Sequence, residues 1–358
     1  MPMNDSLYNG KVGISLFLSA LYHITKNDEY KNLALKSIIS IKNIINSNKE
    51  DYKKNISLQM TIGGLSGLGS LVYVFSKMSY FLNEKSLLLD AKKISDLITF
   101  DRILNDNQFD IVNGCAGTIL SLLSLYSFTG DLDIIEKAIF CGNHLINSRK
   151  KYKNFPKAWI NINKKIPLTG FSHGASGISY SLIKLFEKTK NISFLNVAIE
   201  GINYEKEVFS IKNLNWPDFR IDNEINFIES WCHGAPGIGL SRLMEIETLK
   251  NYYDTDYDIK VSIELTNNHN INTFDNLCCG NFGRIDFLLT ASLLEPYKNL
   301  KSKIFEKLTL IEKRKEKLGF YQIRPTEDIS FFHGLSGIGY QLLRIVNPIE
   351  IPSVLLLE

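Results

Sequence analysis

Three cysteines are the residues of this chain whose types and spacing best suit chemistry. Cys232 stands in the segment WCHGAPGIG, and Cys278 and Cys279 stand together in CCGNFG. Thiolates are soft ligands that select zinc over magnesium or calcium, and three protein ligands with one exchangeable position are typical of a catalytic zinc site. Free cysteines are also common as small buried core residues. The spacing alone, with 45 residues between Cys232 and Cys278, does not decide between these roles.

The cysteines lie just ahead of a glycine pattern that recurs along the whole chain. G-x-x-G followed by an apolar run occurs seven times, with its first glycine at Gly10, Gly64, Gly114, Gly174, Gly234, Gly280 and Gly334. Intervals of 46 to 60 residues are longer than those of common helical solenoids, yet they indicate a repeat architecture. If the repeats superpose, equivalent positions of neighbouring repeats converge. We therefore predict that Cys232, Cys278 and Cys279 form a three-thiolate cluster.

Each repeat is predicted to be a pair of helices. The run after each G-x-x-G is apolar on nearly all sides, which is typical of a helix buried on both faces. More polar stretches with helical spacing follow at 29–46, 83–99, 131–147, 193–209, around Val261 and at 300–313. Asp131 and Asp133 stand where an acidic cap would begin the third of these stretches. Little β-structure is expected.

Seven repeats of this kind would supply seven inner and seven outer helices. We therefore predict an all-α fold, an α/α toroid of seven helix-pair repeats. An open solenoid is the alternative, but its end repeats normally carry polar caps. The first and last copies, at Gly10 and Gly334, are as apolar as the middle ones, which favours closure. No linker or low-complexity segment interrupts the chain, so residues 1–358 are predicted to form one domain.

Composition narrows the possible functions. Lys and Arg number 41 against 38 Asp and Glu, so the charge balance gives no argument for a nucleic-acid partner. The N-terminal residues lack the basic and apolar regions of a signal peptide, and no apolar run reaches the roughly 18 residues that span a bilayer. We therefore expect a cytoplasmic protein with no transmembrane segment. Five cysteines in 358 residues do not resemble a disulfide framework.

Several of these motifs together resemble a known family. WCHGAPGIG, LCCG and SHGASGI, set among seven G-x-x-G repeats, are similar to the cyclase fold of lanthionine synthetase C-like proteins over essentially the whole chain. The opening LYNGKVGISLFL and the tail NPIEIPSVLLLE resemble the C-terminal cyclase domain of class II, bifunctional lanthipeptide synthetases. The N-terminal dehydratase domain of those enzymes would be missing here. A dehydratase domain or protein is therefore a candidate partner.

The resemblance implies a set of zinc ligands. In the family a Trp-Cys-x-Gly motif supplies one ligand, which corresponds to Cys232, and a Cys-His-Gly motif supplies two, which correspond to Cys278 and Cys279. Cys279 replaces the usual histidine, as in a class II branch that is associated with broad substrate tolerance. Three thiolates leave Zn²⁺ with a formal charge of minus one, whereas two thiolates and an imidazole leave it neutral. A substrate thiolate at the more negative site should keep more nucleophilicity.

The resemblance also implies a reaction. A cysteine thiolate of a dehydrated precursor peptide adds to a dehydroalanine or dehydrobutyrine of the same peptide, and a general acid then protonates the enolate. His173 matches the family histidine near the metal and is expected to act as acid or base. Asp110 matches the aspartate that orients this histidine. From the residues alone, either side chain could equally be a satisfied polar residue of the core.

Other residues give weaker signals, and two other functions stay open. The arginine that standalone cyclases carry before the Trp-Cys motif is absent, since this chain reads INFIES there. His233 is a candidate for lining the site, His333 has no assigned role, and Cys115 and Cys141 are expected to be packing residues. One alternative function is the zinc-dependent addition of glutathione to dehydroamino acids. The other is a non-catalytic, zinc-containing scaffold that binds a peptide.

Overall fold

The computed structural model describes residues 3–47, 60–221 and 224–358. In chain order the α-helices of these ranges are α1 Lys11–Thr25, α2 Asp28–Ser37, α3 Ile39–Ile45, α4 Leu68–Leu82, α5 Ser86–Asp96, α6 Phe100–Leu104, α7 Cys115–Thr129, α8 Leu132–Ser148, α9 Ala175–Thr189, α10 Ile192–Val208, α11 Ala235–Leu249, α12 Asp256–Asn268, α13 Asn281–Ser292, α14 Leu300–Leu318 and α15 Leu335–Val346. Short 3₁₀-helices span Glu295–Tyr297 and Val354–Leu356. The described ranges contain isolated β-bridges but no strand, so the expectation of little β-structure is confirmed.

Seven of the described helices begin directly after a glycine. The helices α1, α4, α7, α9, α11, α13 and α15 follow Gly10, Gly67, Gly114, Gly174, Gly234, Gly280 and Gly334, respectively. Glycine is an accepted residue at this N-cap position. Every residue of α13 is buried, as are all but two residues of α4. These helices therefore match the predicted apolar runs that are buried on both faces.

The second repeat has a different register from the predicted one. Its equivalent glycine is Gly67 rather than Gly64, because α4 begins after Gly67. Backbone hydrogen bonds support this register: the N–H of Tyr8 donates to the carbonyl of Leu65, and the N–H of Leu65 donates to the carbonyl of Val112. Each of these residues lies two positions before its N-cap glycine. The prediction of Gly64 was wrong by three residues, because the G-x-x-G of this segment begins at Gly64, whereas Ser70 stands where the other repeats have their second glycine.

The more polar helices follow the predicted stretches. The helices α5, α8, α10, α12 and α14 correspond to the last five of them, and the first is divided into α2 and α3 at Ile38. The carboxylate of Asp131 accepts the N–H of Asp133 at 3.1 Å, which confirms the predicted acidic cap of α8. After α15 the chain forms the 3₁₀-helix Val354–Leu356 rather than an α-helix.

The described chain divides into two compact units. The terminal unit comprises residues 1–147 and 329–358, and the central unit comprises residues 148–328. In the terminal unit α15, α1, α4 and α7 pack against one another in that order. In the central unit α9, α11 and α13 pack in succession, and each also packs against the polar helix that follows it. The three cysteines of the predicted cluster and His173 all belong to the central unit.

Candidate metal centre

A line of backbone hydrogen bonds places two of the cysteines side by side. The N–H of Ser172 donates to the carbonyl of Cys232 at 3.1 Å, and the N–H of Cys232 donates to the carbonyl of Cys278 at 3.4 Å. Each of these residues lies two positions before the glycine that begins α9, α11 or α13. The repeat therefore brings one equivalent position of three successive repeats together, although the residues are far apart in sequence.

The second glycine of each motif holds the loop that carries a cysteine. A Cβ atom on Gly237 would lie 1.9 Å from the carbonyl oxygen of Trp231, and a Cβ atom on Gly283 would lie 2.0 Å from that of Leu277. These two carbonyls immediately precede Cys232 and Cys278. The loops can fold back onto the first turn of α11 and α13 only because no side chain stands there. The glycine pattern thus positions the cysteine-bearing loops as well as the helices.

The three thiols form one group. The Sγ atoms of Cys232, Cys278 and Cys279 all lie within 4.8 Å of one another, and those of Cys232 and Cys279 are 3.7 Å apart. Two sulfur ligands of a tetrahedral zinc, with Zn–S bonds of about 2.3 Å, are about 3.8 Å apart. Cys232 and Cys278 are 3% and 4% exposed, whereas Cys279 is exposed. The donor set therefore fits zinc and is open to solvent beside Cys279; the ligand role itself stays a prediction.

Hydrogen bonds among the thiols concentrate negative charge on Cys232. Bonds from Cys278 and Cys279 lower the pKa of Cys232 well below its usual range, and the hydroxyl of Ser230 also donates to its sulfur at 3.1 Å. The bond to Cys232 raises the pKa of Cys278 and raises that of Cys279 to about 12. Without metal, the group therefore favours a single thiolate. Binding of a cation would release the remaining protons.

His173 lies near the loop that contains Cys232. It directly precedes Gly174 at the start of α9 and is half-buried. Its imidazole stacks on that of His233, with ring centroids 5.9 Å apart and an angle of 23° between the planes. The neighbouring Ser172 donates both its N–H and its hydroxyl to the carbonyl of Cys232. The structure thus brings His173 to the loop that carries the first predicted ligand.

His233 is held as a neutral imidazole. Burial lowers its pKa to about 4, and the side chain is only 1% exposed. Its Nδ1 donates to the carbonyl of Thr169 at 3.1 Å, so Nε2 carries the lone pair and faces the hydroxyl of Ser172 at 3.5 Å. His233 therefore forms part of the buried surface against which the ring of His173 packs.

A buried ionic network fixes the loop that carries His173. One carboxylate oxygen of Glu205 accepts the N–H groups of Gly170 and Ser176, each at 3.0 Å. The other oxygen accepts from the guanidinium of Arg242 at 2.7 Å, and both side chains are fully buried. Burial raises the pKa of Glu205 to about 7. Because both ends of the loop bind one carboxylate, the position of His173 depends on this network.

The structure also shows an arginine that sequence reasoning missed. The Arg220 guanidinium binds the carboxylate of Asp218 at 2.7 to 3.0 Å, and Asp218 lies 3.9 Å from Nδ1 of His233. Burial opposes its charge, but the bond to Asp218 and the attraction of Cys232 and Cys279 raise the pKa of Arg220. Its field therefore reaches the thiols. The segment around it has no helical period, so nothing beyond the residue type could have pointed to it.

Asp110 lies in the terminal unit. It is buried, and its carboxylate accepts the N–H of Asn113 at 2.7 Å. Its carbonyl accepts the N–H groups of Gly114 and Gly117 at the start of α7. These contacts place Asp110 in the loop that precedes a glycine-capped helix, as its sequence position predicted. Its role as the residue that orients His173 stays a prediction.

A second group of potential ligands is explained by packing. Asp106, Cys115 and His144 have ligand atoms within 4.8 Å of one another. The carboxylate of Asp106 accepts the N–H of Cys115 at 2.8 Å, and its carbonyl lies 2.8 Å from Nε2 of His144. Burial raises the pKa of Cys115, whose thiol also bonds that of the buried Cys141. The group caps α7, which agrees with the packing role predicted for both cysteines.

His333 stands in the seventh repeat where His173 stands in the fourth. Its Nε2 lies 3.2 Å from the hydroxyl of Tyr8, and the two rings meet edge to face. Both residues belong to the terminal unit. The contact gives His333 a structural partner and no chemical role.

Comparison with known proteins identifies the family. The family model described as "Lanthionine synthetase C-like protein" matches residues 1–356. The chain belongs to the lanthionine synthetase C-like family. The structure is similar to that of a nisin cyclase, with a TM-score of 0.74, 18% sequence identity, and coverage of 98% of this chain and 92% of that one. This likeness confirms the predicted fold class.

Two curated relatives of this family member come from Lactococcus lactis subsp. lactis. The lacticin 481/lactococcin biosynthesis protein LcnDR2 is 26% identical over 370 residues, which cover 96% of this chain and 36% of the relative. The nisin biosynthesis protein NisC is 26% identical over 286 residues, which cover 72% of this chain and 55% of the relative. The chain thus spans about a third and about half of these proteins. Among the described helices, none is long and apolar enough to cross a membrane.

Proposed function

We propose that this lanthionine synthetase C-like protein is a zinc-dependent lanthipeptide cyclase. It would close lanthionine and methyllanthionine rings by adding cysteine thiolates of a dehydrated precursor peptide to dehydroalanine or dehydrobutyrine. The observation that carries the proposal is the group of three thiols at the mouths of α11 and α13, exposed at Cys279. Family membership and the similarity to a nisin cyclase support the same reaction.

Cys232, Cys278 and Cys279 would hold the zinc. A bound Zn²⁺ lowers the pKa of a thiol at its open position and so supplies a nucleophile at neutral pH. The exposed side of Cys279 is where a peptide thiol would enter. The buried loops around Cys232 and Cys278 exclude water from the opposite side. Three protein donors leave one position for the substrate, which favours a catalytic site over a structural one.

His173 would complete the reaction by moving a proton. The peptide sulfur attacks the β-carbon of the dehydro residue, and the electron pair of the carbon–carbon double bond moves to the α-carbon as an enolate. The imidazolium of His173 then gives a proton to that carbon and becomes neutral. The proton lost by the peptide thiol balances the one gained by the α-carbon. The hydrogen bonds of Ser172 and Glu205 would hold His173 in place for this step.

The biological setting follows from the same proposal. The relatives are named for the biosynthesis of lacticin 481, lactococcin and nisin, so the proposed substrate is a precursor peptide of this kind. Its Ser and Thr residues would first have to be dehydrated, which requires a dehydratase domain or protein. We place this chemistry in the cytoplasm. The neutral overall charge balance gives no reason to propose a nucleic acid.

Purified protein is expected to contain about one zinc per chain, since one three-thiolate set fits a single ion. Elemental analysis after dialysis gives the metal content, and titration of free thiols under native conditions gives the protection of Cys232, Cys278 and Cys279. Protein that contains no zinc and whose three thiols react freely would contradict the site assignment.

Substitution of Cys279 with histidine is expected to retain the zinc. Imidazole is a normal zinc ligand, and the exposed position of Cys279 leaves room for the ring. The rate or selectivity of cyclisation should change, because the ligand set loses one negative charge. Zinc content and cyclisation rate are measured side by side with wild type. A variant without zinc would show that the loop before Gly280 cannot place an imidazole.

A further inference from the structure

Arg284 is a buried cation at a position where the other repeats carry none. It lies four residues after the N-cap glycine Gly280. The equivalent residues of the other six repeats are Ile14, Leu71, Thr118, Ile178, Ile238 and Ile338. Arg284 is only 7% exposed. Burial of a guanidinium in place of an apolar side chain is costly unless the site supplies compensation.

The hydrogen bonds of Arg284 join the two segments that carry the cysteines. Its Nε donates to the carbonyl of Glu229 at 2.6 Å, three residues before Cys232. Its Nη2 donates to the carbonyl of Cys279 at 3.1 Å. The remaining donors reach the side-chain oxygens of Thr273 and Asn281 at 3.3 and 3.5 Å. The planar guanidinium suits such a bridge between two backbone segments.

These contacts leave the positive charge of Arg284 without a carboxylate ion pair in the described part of the chain. Its four hydrogen-bond partners are carbonyl, hydroxyl and amide oxygens. The carboxylate of Glu229 binds His269 instead, at 2.6 Å. Burial lowers the pKa of Arg284 to about 10, while the attraction of Glu229, Cys279 and Cys232 opposes this shift. The bond to the carbonyl of Cys279 places this buried cation beside the loop that carries Cys278 and Cys279.

We infer that Arg284 is a positioning residue whose charge balances the third thiolate of the site. The inference rests on the proposed zinc site. Three thiolates around Zn²⁺ carry an excess negative charge, and the buried guanidinium brings the total to that of a site with two thiolates and one imidazole. Because Arg284 and Cys278 are buried, solvent screens this compensation only weakly, so it strengthens binding of the three-thiolate set. The guanidinium of Arg284 thus supplies the positive charge that offsets the additional thiolate of Cys279.

The charge role predicts a coupling between Arg284 and Cys279. Zinc affinity is measured by competition with a chromophoric chelator in wild type, Arg284→Gln, Cys279→His and the double variant. Arg284→Gln should weaken zinc binding by about 10- to 100-fold in the three-cysteine protein, the usual effect of an outer-shell partner. In the Cys279→His background the same change should weaken it by less than about threefold, because the third thiolate is gone. Equal losses in both backgrounds, or none in either, would overturn the inference.

Two further variants separate charge from folding. Arg284→Lys keeps the charge and should retain zinc affinity to within about threefold of wild type; a loss as large as that of Arg284→Gln, or failure of Arg284→Lys to fold, would refute the charge role. Lys307→Gln is the matched control, since Lys307 is a nearby half-buried cation whose ammonium bonds the carbonyl of His269. It should leave zinc affinity unchanged. If wild type itself binds no zinc, the proposed function fails rather than this inference alone.

Discussion

Substitution of Cys232 with serine is expected to reduce the zinc content to less than about a tenth of an ion per chain, because one of three protein ligands is lost. Cyclisation of a dehydrated peptide should slow by at least about 10³-fold, since the metal site both activates the thiol and orients it. Cys232 is one of the two buried thiols of the group, and its sulfur lies 3.7 Å from that of Cys279. Zinc analysis and a cyclisation assay on the same preparation measure both effects.

The control for this variant is Cys141→Ser. Cys141 is also buried and free, but it lies in α8 of the terminal unit, outside the zinc ligand set. It should keep the zinc and the cyclisation rate. A Cys232→Ser protein that retains a full zinc equivalent and cyclises at the wild-type rate would remove Cys232 from the site.

Substitution of His173 with asparagine is expected to slow ring closure by roughly 10² to 10⁴-fold, the usual contribution of a positioned acid or base. This loss corresponds to about 3 to 5 kcal/mol of transition-state stabilisation. The zinc should be retained, because the three predicted ligands are cysteines and do not include His173. The fold should also persist, because the half-buried ring of His173 makes a stacking contact with His233 that asparagine can lose without opening the core. The assay is mass spectrometry after thiol alkylation, in which an uncyclised cysteine takes up the reagent and a thioether does not.

His333→Asn is the matched control for His173→Asn. His333 also directly precedes an N-cap glycine, but its ring contacts Tyr8. Cyclisation by this variant should proceed at the wild-type rate. If His173→Asn also cyclises at that rate, zinc activation and peptide positioning would have to account for the chemistry without His173.

The sequence was sufficient to predict the convergence of the cysteines because the repeat encodes it. Cys232 and Cys278 occupy the same position before their glycines, and backbone hydrogen bonds join equivalent positions of neighbouring repeats. Most of the helices were also predicted, including the weak stretch around Val261, which is α12; the expected seventh outer helix was wrong, since the 3₁₀-helix Val354–Leu356 follows α15. The spacing of apolar residues that indicates a helix lies within each segment, so it can be read from the sequence without knowledge of the fold.

Features that depend on packing between segments could not be predicted. The pattern of the second repeat was misleading because its G-x-x-G begins at Gly64, whereas the contacts of Leu65 with Tyr8 and Val112 make Gly67 the equivalent glycine. The roles of Arg220 and Arg284 also depend on which loops lie beside them. An arginine inside an apolar helix was visible in the sequence at Arg284, but its bonds to the cysteine-bearing loops were not.

The proposed activity is the closure of thioether rings within one peptide. The most direct test incubates the zinc-loaded protein with a peptide that contains one dehydroalanine and one cysteine, in the presence of glutathione, followed by alkylation and mass spectrometry. The expected product is a peptide of unchanged mass that no longer takes up the alkylating reagent, and whose fragments show a ring between the two residues. A peptide that stays fully alkylatable, or one that gains the mass of glutathione, would contradict it.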